Sequence, residues 1–169
     1  MSLGYSKFSK FYSTVLLIII IAGIMIMCDY LIKKFHYLRM LPAGLVVSEL
    51  VYAREESWGF GPGGNETGMI VFELPPDVVS GFQQHAKNNS IQWKATPVAV
   101  EGSDGDNATF SYDIGQYLNR YGFGLSINNE LTRNINDALS SRGNFVYDNG
   151  RRLIIIMPRV ARLVIAYRG

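Results

Sequence analysis

The uncharged run from Phe11 to Cys28, FYSTVLLIIIIAGIMIMC, constrains this chain more than any other stretch. It has 18 residues. At 1.5 Å per residue a helix of that length spans about 27 Å, close to the hydrocarbon core of a bilayer. Its central segment VLLIIIIAGIMIM has no polar face to turn toward water, as a buried helix of a soluble domain would at its margins. The pattern predicts one transmembrane helix over 11–32, preceded by a short tail (1–10) and followed by a juxtamembrane linker (33–43). Lys7 and Lys10 stand before the run and Lys33 and Lys34 after it. Long amine side chains can reach the headgroups from both ends. Tyr5, Phe8, Phe11 and Tyr12 at one end, and Tyr30, Phe35 and Tyr37 at the other, supply aromatic belts.

A cleavable secretion signal also begins with basic residues and an apolar run. This run lacks a small-x-small cleavage site at its end, and Met27 is a poor residue before Cys28 for lipoprotein processing, so a retained anchor is expected. The positive charge flanking the helix is nearly balanced. The simplest arrangement is a short cytoplasmic tail and a C-terminal extracytoplasmic domain, in a single-pass protein of the inner or plasma membrane. Asp29, where the run meets water, reads as a partner for a nearby lysine and not as a proton relay.

Charge divides along the chain. Residues 1–39 hold Lys7, Lys10, Lys33, Lys34 and Arg39 against Asp29, so they carry more than the whole formal charge of +2, and the remainder is slightly acidic. The basic balance therefore belongs to the anchor and argues against nucleic acid as a partner. Within the remainder, 99–113 bears Glu101, Asp104, Asp106 and Asp113 with no cation, while 150–169 bears five arginines with no carboxylate side chain. Cys28 is the sole cysteine, so no intrachain disulfide forms. The N-x-[ST] matches at Asn65, Asn88 and Asn107 carry meaning only in a eukaryotic secretory compartment.

Beyond Pro42, which stops the first helix, residues 44–169 predict one small α+β domain held near the membrane by a short linker. Leu45–Tyr52 reads as a first strand and Met69–Leu74 as its neighbour, joined across the glycine-rich 57–68. Pro75 and Pro76 break the chain, and a helix follows from Asp77, with Val78, Val79 and Phe82 on one side. Ile91–Val100 reads as a strand edged by Pro97, and 101–108 as a polar acidic loop. Ser111–Asn119 predicts a short helix presenting Ile114, Tyr117 and Leu118. Asn128–Ser141 is a strongly periodic helix with Leu131, Ile135, Ala138 and Leu139 as its apolar stripe, started by Asn128 or Asn129 and closed by Gly143. Asn144–Tyr147, the turn Asp148-Asn149-Gly150 and Arg151–Met157 form a hairpin, and Val160–Tyr167 a last strand. The whole predicts a mainly antiparallel sheet of five or six strands covered by two or three helices.

The motifs mostly reduce to structure. Gly59, Gly61 and Gly64 match G-x-G-x-x-G in letters, but a β-rich run follows where an anion-holding helix is required, and no Gly-Lys-Ser/Thr is present. Asp104, Asp106 and Asn107 lack the spaced ligands and terminal bidentate carboxylate of a calcium loop. His36 beside the membrane and His85 in the domain are the two histidines, and no G-x-S-x-G elbow accompanies them. Carboxylates such as Glu55 with Glu73 or Asp113 are conceivable acid/base pairs, yet sequence selects none. No catalytic residue, metal or cofactor is assigned.

The residues favoured as a binding surface are Trp58 and Phe60, large apolar groups in a glycine-supported loop, rimmed by Arg54 and Glu55, together with Arg159 and Arg162 of the terminal strands. The leading expectation is a noncatalytic accessory or structural subunit that docks a larger integral membrane protein complex through its membrane helix and its domain. An extracytoplasmic ligand-binding or sensor module, with a cavity lined by Trp58, Phe60 and Tyr112, is the alternative, and a membrane-tethered acid/base hydrolase the third.

Overall fold

The computed structural model describes residues 3–57, 66–88, 92–104, 107–119 and 124–168, with side chains described for 12–57, 66–82, 92–101, 110–119 and 124–168. The chain separates into two compact units, Met1–Pro42 and Ala43–Gly169.

The first unit is one helix, α1 (Leu3–Leu38). Its 36 residues make it about 54 Å long, enough to cross the apolar layer and continue into both interfaces. The span Tyr12–Leu38 is long and apolar enough to cross a membrane, and none of its apolar 18-residue window is buried inside the protein. At the end of the uncharged run Lys33 Nζ lies 2.9 Å from the Asp29 carboxylate, one helical turn away, so the acid is neutralised where it leaves the bilayer. The helix closes through tightened bonds, with the amides of Met40 and Leu41 donating to the carbonyls of Tyr37 and Leu38, just before Pro42. A single N-terminal apolar helix followed by a separate domain is a single-pass topology, consistent with an extracytoplasmic domain.

The second unit is α+β. Its six-stranded antiparallel sheet runs in the order β1 (Leu50–Ser57), β2 (Glu66–Glu73), β8 (Arg162–Arg168), β7 (Arg152–Met157), β6 (Phe145–Asp148), β3 (Lys94–Ala95). A two-stranded hairpin, β4 (Val100–Asp104) with β5 (Asn107–Ser111), stands beside it. Helices α2 (Pro76–Asn88), α3 (Ile114–Leu118) and α4 (Asn129–Ser140) complete the domain.

Both sheet faces are covered, which explains the uninterrupted apolar runs Leu153–Met157 and Leu163–Tyr167, buried throughout. On one face Met69, Val71, Val146, Leu153, Ile155, Met157, Val164 and Ala166 pack with Ile114, Tyr117 and Leu118 of α3 and with Ile135, Ala138 and Leu139 of α4. The alternate residues point the other way: Phe72 pairs with Leu163, Leu163 with Ile156 and Ile156 with Phe145. There α2 inserts Phe82, whose ring centroid lies 5.1 Å from that of Phe145 and 5.2 Å from that of Trp93. Val78, Val79 and Phe82 form the covered side of α2, as their spacing predicts.

Four expectations shift. The first strand begins at Leu50 and takes in Arg54, Glu55 and Glu56, because an edge strand with an open flank tolerates charge that a central one does not. Within 92–99 only Lys94–Ala95 (β3) is strand, ending before the cis Thr96–Pro97 bond, and Val100 opens β4. The acidic segment expected as a loop is the β4–β5 hairpin, with Val100 buried opposite Ser111 and Glu101 opposite Phe110. In the β6–β7 turn only Gly150 has positive φ, at 86°. Asn149 instead uses its side chain, Oδ1 accepting from the amides of Arg151 (3.2 Å) and Arg152 (2.8 Å).

Local capping follows the sequence closely. Asn128 Oδ1 accepts from the Glu130 amide at 2.8 Å and starts α4, and Asp113 Oδ1 does the same for α3 through the Gly115 amide at 2.8 Å. Asn136 of α4 ties the two helices together by accepting from the Ile114 amide at 2.9 Å.

Candidate functional site

A groove of about 610 Å³ opens on the α4 side of the sheet. One wall is the flank of α4 carrying Asn128, Leu131, Asn134, Asp137 and Ser141, and the other is β1 and the 3-10 turn Pro158–Val160. Val71 and Met157 contribute to its apolar lining. It exists because α3 and α4 pack over the middle of the sheet while the sheet continues outward through β2 and β1.

The β1 wall has a bulge. Leu50 pairs with Phe72 and Tyr52 with Val71, leaving Val51 as an extra residue, and both Val51 and Tyr52 line the groove. The lower wall is set by Ala161, which adopts left-handed geometry (φ 50°) so that the chain can turn from β7 through Pro158–Val160 into β8. That turn leaves Val160 59% exposed and Arg159 exposed at the rim. At the far end Asn144, 6% exposed, donates from Nδ2 to the Ala138 carbonyl at 2.9 Å, and its own amide donates to Thr96 Oγ1 at 3.1 Å. These bonds hold the end of α4 on the start of β6.

Of the residues favoured from sequence, Arg159 and Arg162 both line this groove. Arg162 is held by Glu73 at 3.1 Å, across the β2–β8 pair. Arg54 and Glu55 lie on β1 outside the groove lining: Arg54 pairs with Glu56 at 3.0 Å, and Glu55 accepts a hydrogen bond from the Tyr167 hydroxyl. Tyr167 lies against Gly68, directly opposite it on β2, where any side chain would collide with the ring. Trp58 and Phe60 lie outside the described residues, as does the side chain of His85. Tyr112 is exposed and does not line the groove.

The sequence reading missed the groove itself, since Leu131, Val71 and Met157 read only as core positions. Nor is Arg168, one of the five arginines of 150–169, an exposed strand residue. Arg168 is 2% exposed. Its guanidinium donates to the Gly150 carbonyl (3.1 Å), the Glu101 carbonyl (2.7 Å), the Tyr117 carbonyl (3.2 Å) and the Glu101 carboxylate (3.1 Å). It also lies 4.0 Å over the Tyr117 ring. One side chain thus ties β8, the β6–β7 turn, β4 and α3. A buried arginine is tolerated because its guanidinium meets four fixed acceptors, one of them a carboxylate that balances its charge.

The carboxylates considered for acid/base chemistry are engaged elsewhere: Glu55 with Tyr167, Glu73 with Arg162, and Asp113 as the α3 cap. Among the described residues no three His, Cys, Asp or Glu side chains converge to hold a metal ion. What the site offers is an apolar-lined slot with amides, carboxylates and guanidinium groups on its walls, which is binding chemistry. No protein-family model, no curated protein and no solved structure matches this chain.

Proposed function

We propose that this chain is a noncatalytic accessory subunit of a larger integral membrane protein complex, with α1 as its membrane element and the groove between α4 and β1 as its docking surface. The observation that carries the reading is the groove: an apolar lining left uncovered by the domain's own helices, with Val51 and Val160 exposed along it. The single membrane span supports the membrane side of the assignment. Arg54 and Glu55 of β1, and Trp58 and Phe60 that follow it in sequence, remain in the proposal as further partner contacts.

Purification of the full-length protein in mild detergent, with mass spectrometry and sizing of what stays bound, tests this. A stoichiometric membrane complex, lost in a Val51→Lys, Val160→Glu double variant that still folds, is the expected result. An isolated monomer overturns it.

A second reading is favoured by one observation. The groove volume of about 610 Å³ falls within the range of small-molecule pockets, so a membrane-anchored ligand-binding or sensor module fits the same site. Native mass spectrometry showing a small molecule retained by the monomer, and released by the same double variant, would select it.

A further inference from the structure

The groove between α4 and β1 carries unpaired charge of both signs. Glu130 and Asp137 line it from α4 and Arg159 from the 3-10 turn, and none of these three side chains has an ion pair among the described residues. The fourth charge of the lining, Arg162, is taken by Glu73 at 3.1 Å. Opposite charges in one slot therefore stand apart from each other.

They also stand at different places along it. Glu130 is in the first turn of α4. Arg159 reaches to the other end, because a Cβ added at Gly143, just past the helix, would lie 3.9 Å from its Nε and Nη2 atoms. From Glu130 to Ser140 the helix rises about 15 Å at 1.5 Å per residue. Asn134 and Asp137 line the groove between these ends, and Val51, Tyr52 and Leu131 lie along it.

This pattern narrows the chemistry of what fits. A purely anionic ligand meets Glu130 and Asp137, a purely cationic one meets Arg159, and an uncharged one leaves both signs unanswered. A dipolar ligand, cationic at one end and anionic at the other, answers both. A single amino acid is dipolar, but it holds its ammonium and carboxylate on one carbon, too close together to bridge the length of α4. An extended peptide covers at most about 3.3–3.6 Å per residue, so about three to five residues close the span once the Glu and Arg side chains reach inward. Its termini are both ionised at neutral pH, the α-amino group titrating near about 8 and the α-carboxyl near about 3.5.

We propose that the groove binds a short linear peptide with free termini, its ammonium group at Glu130, its carboxylate at Arg159 and its apolar side chains along Val51, Tyr52 and Leu131. The inference rests on the ligand-binding reading above and names the class of ligand. Asn134 and Asp137 offer oxygen acceptors to the main-chain amides between the two ends.

The test uses full-length protein in nanodiscs, dialysed to equilibrium against a pool of tri-, tetra- and pentapeptides of Ala, Val, Leu, Ser and Asn together with the free amino acids, with empty nanodiscs as the control. Mass spectrometry of what the protein retains should show peptides that contain Val or Leu, and no free amino acid. Calorimetry on a retained peptide should show binding weakened about three- to fivefold by N-acetylation and by C-amidation, the scale of one exposed ion pair each. Two variants assign the ends. Glu130→Gln should bind free and acetylated peptide alike, and Arg159→Gln free and amidated peptide alike. Both residues are exposed, and near-UV circular dichroism verifies that the variants fold.

Retention of no peptide, indifference of the unaltered protein to both caps, or undiminished cap effects in the variants would overturn the proposal. So would a preference for capped peptides, which makes the groove a seat for an internal segment of a partner protein. A non-peptide small molecule retained by the purified monomer, without peptide binding, would leave the ligand-binding reading standing and remove this one. A monomer that retains nothing and binds no peptide would remove both.

Discussion

Arg168→Ala is the most informative perturbation of the domain. The side chain is 1% exposed, and Glu101, its ionic partner, is 26% exposed. Truncation removes four donor contacts and the stacking on Tyr117, leaving the carbonyls of Gly150, Glu101 and Tyr117 short of a partner. Breaking a buried ion pair from one side costs about 3–5 kcal/mol, and the partial exposure of Glu101 places this one toward the lower end, about 3–4 kcal/mol. At an unfolding entropy of roughly 2 cal/mol/K per residue, a domain spanning Ala43–Gly169 should lose about 10–15 °C in Tm. The assay is thermal unfolding of the full-length protein in detergent followed by near-UV circular dichroism, since the micelle-held α1 would dominate a far-UV signal. Arg168→Met keeps most of the apolar stem, so a comparable loss there assigns the effect to the donors. A fall of less than about 4 °C, the range of an exposed pair at roughly 1 kcal/mol, would refute the reasoning.

Arg162→Ala, on the same strand, should cost less than about 1 kcal/mol, because its pair with Glu73 is one-third to nearly half exposed; the same melting assay gives the contrast directly. Phe82→Ala, with a ring fully buried between Trp93 and Phe145, should cost about 3–5 kcal/mol and alter the near-UV spectrum of Trp93. Asn128→Ala should cost about 1 kcal/mol in chemical denaturation, with Asn128→Gly or Asn128→Ser recovering most of it, as a lost N-cap does. Gly68→Ala should cost about 1–3 kcal/mol and release the Tyr167 hydroxyl from Glu55, seen as a change in tyrosine absorbance.

Local chemistry was legible in the chain. Asn128 announces its helix, the stripe Leu131, Ile135, Ala138 and Leu139 shows which side of α4 is covered, and Asp148-Asn149-Gly150 marks its hairpin. Each depends on neighbours within a few residues. The membrane helix is the extreme case, because eighteen uncharged residues need no partner to declare their solvent.

What the sequence did not carry is whatever depends on strand order. Leu153–Met157 and Leu163–Tyr167 lack alternation because both of their faces are covered, so period alone said little about their place. Arg168 and Arg162 sit six residues apart on one strand with similar neighbours, yet one is buried and the other half-exposed, since β4 and α3 meet the first and the open groove meets the second. The groove joins segments as distant as Val51, Leu131 and Val160. The sequence by itself determined a membrane anchor, the cap of α4 and the turn. The tertiary structure alone decided which arginine is buried, which strand edge is open and where the apolar lining is left uncovered, because these are properties of which segments meet and not of any segment alone.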